Sequence, residues 1–266
     1  MTERRLDVGI ENVNEVYDGP GGVLWEMLMG EQIHVGGAEE TDTLAQKAGI
    51  TANSHVLDVC SALGGPARHL AKQYGCRVTG LDATRRMYEE AIRRTEEAGL
   101  SDKVEYRFGN ALDMPFRANT FDVVWGQDAW CYVTDKERLV RECARVVRPG
   151  GVVAFTDWLE TGPMSDEEWT ALHTFMAFPY METLEGYVTL CEAAGLTVVE
   201  KEDPSPDFAR HVQVYLDMLE NQYRQDIIGN YGQEMYDDVV SGITLWRDAS
   251  AAGKVGRGRV IARKPA

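Results

Sequence analysis

The order of apolar and helical stretches predicts an α/β fold in which a mostly parallel sheet is covered by helices on both faces. Three observations carry this expectation. Short apolar runs alternate with amphipathic stretches from residue 55 to residue 158. Each helical stretch ends on a glycine or Pro-Gly stop, as at Gly99 and Pro149-Gly150-Gly151. Between the first apolar run and the first helix lies CSALGG at 60–65, a chain of small residues of the kind that lets a backbone approach a ligand at the end of a strand.

Residues 1–50 carry short helical signals at Val23 to Met29, after the break Gly19-Pro20-Gly21-Gly22, and at Thr43 to Ala48 before Gly49. Between them, Gly30 to Glu40 reads as a loop with two glycine hinges. This segment has too little periodic apolar sequence to fold alone and is expected to pack across something else. VLDVC near His55 is the first strand, Gly64 to Tyr74 a helix, and RVTGLD at 77–82 the second strand. A charged helix follows from Thr84 to Gly99, then strands at 104–109 and 121–127 flank a loop with the turn MPF at 114–116. A helix at Asp135 to Val147 leads to a buried strand at Val152 to Trp158. Connections of this kind are right-handed βαβ units. Beyond Trp158, Thr161 to Tyr180 reads as a helix with an active-site loop, Leu184 to Ala194 as a helix closed by Gly195, and LTVVEKE as a strand. Two helices, roughly Phe208 to Asn221 and Gln233 to Ser250, precede a last strand at Gly258 to Ala262. The expected division is a helical lid at 1–50, a core at 51–203, a helical insertion at 204–254 and the last core strand at 255–266.

The formal net charge of −16 argues against nucleic acid as a partner, because phosphate binding requires a clustered basic surface. A small molecule fits better, a cationic one included. Five cysteines without a C-x-x-C pair suggest neither a disulfide framework nor a zinc site, and no metal is expected. No apolar run approaches the ~18 residues of a membrane span. A chain outside the membrane, located in the cytoplasm, is therefore expected, with a homodimer as the oligomeric form allowed for.

Asp58 ends the first strand and Asp82 the second, about the spacing at which an acid binds ribose in nucleoside sites. Asp82 can also cap the helix beginning near Thr84, and the two roles coexist. A nicotinamide site is the first competitor, but its G-x-G-x-x-G fingerprint is absent and only Gly64-Gly65 remains. A ligand with one nucleoside and an amino-acid tail is the better match.

The motifs DVCSALG at 58–64, Asp82, GNALDMPF at 109–116, FDVVWGQDA at 121–129 and RVVRPGG at 145–151 occur in the order seen in class I S-adenosylmethionine (SAM)-dependent methyltransferases, which the chain resembles. A narrower resemblance is to the sarcosine/dimethylglycine and phosphoethanolamine N-methyltransferases. It rests on GEQIHVGG at 30–37, GQDAWCYVTDKERLVRECARVVRPGG at 126–151 and TLWRDASAAGKVGRGRVIARKP at 244–265. The resemblance implies a Rossmann-like, seven-stranded sheet whose last strand is antiparallel, SAM as cofactor with S-adenosylhomocysteine (SAH) as product, and a small-molecule methyl acceptor. A glycine-derived amine is the first expectation for that acceptor. Transfer to oxygen, sulfur or carbon, or a SAM-binding scaffold without catalysis, are the alternatives.

By the same resemblance, Asp58, Ser61, Gly64 and Gly65 line the methionine tail and ribose, Asp82 holds the ribose, Asn110 and Ala111 meet the adenine, and Gln127 sits beside the methionine end. Tyr17 and Gln32 close over the cofactor. Cys60 and Ala62 depart from the family by standing at usual glycine positions, and Asn110 stands where Asp is commoner. Tyr132, His173 and His211 are candidate bases, with His211 and Tyr132 preferred. Trp130, Trp158, Tyr180 and Trp246 are expected to present aromatic faces to the substrate, with Trp169 and Phe178 as further candidates. Ordinary packing is the competing account of these aromatic residues and of His211.

Overall fold

The computed structural model describes residues 4–266. Its seven strands are β1 (His55–Val59), β2 (Arg77–Asp82), β3 (Val104–Phe108), β4 (Phe121–Gln127), β5 (Val147–Glu160), β6 (Thr197–Glu202) and β7 (Val255–Arg263). They form one sheet in the order β3-β2-β1-β4-β5-β7-β6. β1 to β5 pair in parallel, while β7 is antiparallel to both neighbours and lies between β5 and β6. The expected Rossmann-like arrangement is therefore the one observed.

The near-continuous apolar strands follow from burial on both faces. One face is covered by α3 (Gly37–Ala48), α4 (Gly65–Tyr74) and α5 (Arg85–Glu97), whose Leu44, Leu70 and Ala91 share a cluster with Val56, Val78 and Trp125. The other is covered by α6 (Lys136–Val146) and α8 (Leu184–Ala193), which set Leu139, Cys143, Tyr187 and Cys191 against Leu57, Val124 and Phe155. A third cluster lies beyond the sheet. There α2 (Pro20–Met29) and α7 (Asp166–Met176) meet α9 (Ser205–Asn221) and α11 (Gln233–Ala251) around Trp158, Phe178 and Trp246.

The structure departs from the sequence expectation in several places. The N-terminal segment holds a further helix, α1 (Ile10–Asp18), Gly30–Gln32 forms a 3-10 turn and α3 begins at Gly37, so only residues 33–36 of the expected Gly30 to Glu40 loop are irregular. A third short helix, α10 (Arg224–Tyr231), lies in the region read as two helices. The last strand starts three residues earlier than expected, at Val255, because pairing with β5 extends to Glu160.

Candidate functional site

The chain runs from β1 through β2 to β3 in one direction and then returns to place β4 on the other side of β1. Between the carboxyl ends of β1 and β4 lies the switch point where open α/β sheets bind ligands. A cavity of about 220 Å³ occupies that position. Its walls include Asp58, Cys60, Ser61, Ala62, Asp82, Asn110, Ala111, Gln127 and Tyr132 from the core, with Tyr17, Gln32 and Ile33 from the N-terminal helices.

The loop after β1 is held by backbone amides. The Cys60 and Ser61 N–H groups both donate to the Leu81 carbonyl, at 2.8 and 3.1 Å. The Asp82 carboxylate accepts from the Ala62 N–H and the Thr84 N–H, each at 2.8 Å, so it clamps the loop and holds the residue that precedes α5. Cys60 and Ala62 stand at φ +63° and +44°, in the left-handed region where glycine is normal. The loop thus keeps the glycine-type backbone path without the glycines, at a cost of about 1–2 kcal/mol per residue. Gly64 and Gly65 do not line the cavity. A Cβ on Gly64 would overlap the Tyr106 ring, so Gly64 lets β3 pack beneath the loop, and one on Gly65 would overlap the Glu31 backbone, so Gly65 lets the N-terminal segment close onto α4.

Three buried polar atoms of residues that line this cavity have no hydrogen-bond partner among the described residues: Asp58 Oδ2, Ser61 Oγ and Gln127 Nε2. Buried polar groups are normally satisfied, so a set of orphans on residues of one cavity points to a polar ligand. Burial, reinforced by the Asp82 charge, pushes the Asp58 carboxyl up to about 7. Asp82 is also shifted upward by burial, against the opposing pull of its amide donors. An ammonium between such acids would relieve their mutual repulsion. The Asn110 side-chain carbonyl accepts from the Leu112 N–H at 2.8 Å, which turns the amide as a loop brace.

At the inner end of this cavity Tyr17 donates to Tyr132 Oη at 2.9 Å. Burial raises both hydroxyls above the ordinary phenol range, so both stay protonated. Beyond the pair lies a much smaller cavity of about 10 Å³. Tyr17, Ile33, Asp128 and Tyr132 line both spaces, and Trp25, Met29, His34, Trp158, Met176 and Phe178 complete the inner one.

The loop carrying Tyr132 is pinned from several sides. Asp157 accepts from the Cys131 N–H at 3.0 Å and from Tyr187 Oη at 2.5 Å. The fully buried Lys136 ammonium donates to the carbonyls of Cys131, Val133 and Tyr180, at 3.3, 3.0 and 2.9 Å. Asp128, adopting φ +55°, accepts from the Val35 N–H at 2.9 Å, Thr156 Oγ1 at 2.8 Å and Arg257 Nε at 2.8 Å. Asp128 thereby ties the N-terminal segment to β5 and β7. Sequence reasoning missed it as a site residue, although it directly follows Gln127. Lys136 was missed as well; a lysine opening a helix reads as a solvated residue.

Several expected residues lie elsewhere. His211 reaches neither cavity: its Nδ1 contacts the Asp207 carbonyl at 2.9 Å, and its ring flanks Tyr215, because the inward stripe of α9 consists of Phe208, Val212 and Tyr215. His173 is buried against Trp169 at a ring separation of 3.9 Å and likewise lines neither cavity. Trp130 is stacked on Phe155 in the core, 4.2 Å between ring centroids. Trp246 backs Trp158 at 4.8 Å without lining the inner space, and Tyr180 lies beneath Lys136. Trp158 alone of the four preferred aromatics faces the inner cavity. Among the described residues no group of three or more His, Cys, Asp or Glu could hold a metal ion, and no helix is long and apolar enough to cross a membrane.

Comparison with known proteins agrees with this geometry. Residues 57–155 match the family model described as a methyltransferase domain. A glycine/sarcosine/dimethylglycine N-methyltransferase of Actinopolyspora halophila is 29% identical over 88% of this chain and 41% of its own length. Phosphoethanolamine N-methyltransferase 1 of Zea mays is 27% identical over 94% of this chain and 50% of its own. The chain thus spans about half the length of these two relatives. The Haemonchus contortus phosphoethanolamine N-methyltransferase 2, solved with phosphomonomethylethanolamine and SAH, shares the fold with a TM-score of 0.89. It is 23% identical over 97% of this chain and 61% of that one.

Proposed function

We propose that this chain, which belongs with the class I SAM-dependent methyltransferases of the sarcosine/dimethylglycine and phosphoethanolamine group, methylates a small-molecule amine. The observation that carries the reading is the set of unpartnered buried atoms, Asp58 Oδ2, Ser61 Oγ and Gln127 Nε2, on residues that line the switch-point cavity. In this reading they hold the amino-acid tail and ribose of SAM. Asp82 offers its remaining lone pairs to ribose hydroxyls, and Asn110 and Ala111 border the adenine. Bound SAM supplies an electrophilic methyl group on a sulfonium.

The chain's own contribution is placement and exclusion of water. α1 and the turn at Gln32 and Ile33 close one side of the cavity, with Tyr17 and Gln32 in its wall. The Tyr17 and Tyr132 hydroxyls stand between the two cavities and, being neutral, orient an acceptor N–H through their oxygen lone pairs. Neither tyrosine acts as an anionic base. The amine enters unprotonated, its proton having been left to solvent. Nitrogen is favoured over oxygen, sulfur or carbon because acidic and aromatic walls suit an ammonium product. Among amines, the names of the relatives favour a glycine-derived acceptor, which would bring a carboxylate into the site.

The test combines calorimetry with methyl transfer. Binding of SAM and SAH, no binding of NAD, and passage of a labelled methyl group to nitrogen in an acceptor screen are the expected results. Binding of NAD with none of SAM would overturn the reading. Binding of SAM with no transfer to any acceptor would reduce the chain to a scaffold.

A further inference from the structure

We infer that the acceptor is an amine whose remaining surface is apolar or aromatic and which carries no carboxylate or phosphate. This rests on the reading of the site as an amine methyltransferase and narrows it, against the glycine-derived acceptor.

An anion bound beside the Tyr17–Tyr132 pair would need a cation or a set of free donors, because a buried unpaired charge is strongly disfavoured. Among the described residues neither cavity is lined by a lysine or an arginine, while Asp58, Asp82 and Asp128 all line the outer one and Asp128 the inner one as well. The inner walls are Trp25, Met29, Trp158, Met176 and Phe178.

The buried cations on the surrounding elements are committed to other partners. Arg257 bonds Asp128 and Thr156 and faces Glu40 at 3.2 Å, so two carboxylates already neutralise it. Lys136 gives its hydrogens to three carbonyls. Arg259 is held by Glu40 and Glu202. The one ring in the inner wall that can protonate is His34. Its Nδ1 contacts the Val35 carbonyl and its Nε2 Thr41 Oγ1, and burial lowers it to about 4, so it is neutral. The unpartnered donors, Ser61 Oγ and Gln127 Nε2, belong to residues of the outer cavity and serve the SAM tail in this reading. Asp128 and Arg257 neutralise each other, so no free charge at the inner wall offsets the desolvation of a carboxylate or phosphate, which is disfavoured there. An ammonium product among tryptophan, tyrosine and phenylalanine faces would be stabilised. The unbranched side chains of Met29 and Met176 can adjust to admit an apolar group, since a space of about 10 Å³ holds no more than a water as it stands.

The experiment uses matched pairs that differ only in the anion: phenethylamine against phenylalanine, and ethanolamine against phosphoethanolamine, with sarcosine and dimethylglycine alongside. Each is titrated by calorimetry into the purified chain saturated with SAH, so that the readout does not depend on turnover. The anion-free member of each pair is expected to bind at least ~10-fold tighter, the scale of one uncompensated charge in a partly screened site. In Met176→Lys the ratio should fall or reverse. Equal or tighter binding of the anion-bearing members to the unaltered chain, or preference for sarcosine or dimethylglycine, would overturn the inference. Failure of the amine-methyltransferase reading itself is seen separately, as absence of SAH binding or of methyl transfer to nitrogen.

Discussion

Replacing Asp58 by Asn should separate the stability of the chain from its affinity for SAM. The carboxyl is buried and stands at about 7, against an ordinary value of ~3.9. Between these values the folded chain keeps a proton that the unfolded chain releases. Stability is therefore greatest below the unfolded value and declines as pH rises, until the folded group has ionised at about 7. A shift of ~3 units amounts to a loss on the order of 4 kcal/mol by neutral pH. Asn removes that loss, so the ligand-free variant should unfold at a higher temperature than the parent near pH 7.5, while the two converge at acid pH.

Binding runs the other way. A ligand ammonium selects the carboxylate, so the SAH dissociation constant should rise about tenfold, or ~1.4 kcal/mol, for each pH unit below the folded pKa. Calorimetry across roughly pH 5.5 to 8.5 reads this directly, with proton release on binding below neutrality. The variant should bind more weakly at high pH and lose the slope. A flat profile for the parent, or a slope that survives in the variant, would show that Asp58 is not the titrating partner of the ligand.

Three further outcomes follow from the geometry. Tyr132→Phe and Tyr17→Phe should each lower kcat by roughly 10- to 100-fold with SAM affinity nearly unchanged, since they remove an orienting hydroxyl rather than a cofactor contact; a matching loss of SAM binding would point to packing. Asp128→Ala should cost about 3–5 kcal/mol in denaturant unfolding by leaving Arg257 short of a buried partner, and a loss below ~1 kcal/mol would mean that Glu40 and Thr156 suffice. Gly65→Ala should weaken SAM binding by ~10-fold or more with the core intact, because the new Cβ displaces the Glu31 backbone and lifts the lid; unchanged binding would show that the lid contact is dispensable.

Much of the outer cavity was legible because its residues sit within a few positions of strand ends. Asp58, Asp82, Asn110 and Gln127 each follow or close a strand, and parallel strands deliver their carboxyl ends to one edge. Cys60 and Ala62 looked like defects in the glycine pattern, yet both adopt the left-handed backbone that glycine would supply. Motif matching cannot register that a side chain is tolerated where the local hydrogen bonds hold the backbone. His211 misled because a lone histidine in a helical stretch carries no sign of which face of its helix it occupies, and the apolar residues of α9 took the inward face.

The sequence by itself determined the sheet, the order of its ligand loops and the outer cavity, since all of these depend on short-range periodicity and on residues next to strand ends. The inner cavity was decided only by tertiary structure. Tyr17, Trp25, His34, Asp128, Trp158, Met176 and Phe178 come from separate segments, and their meeting depends on how α2, β5 and the segment after α7 pack. No spacing along the chain encodes that encounter, nor the use of Arg257 and Lys136 as internal partners. Which charges remain free for a ligand is a property of completed pairings across the fold.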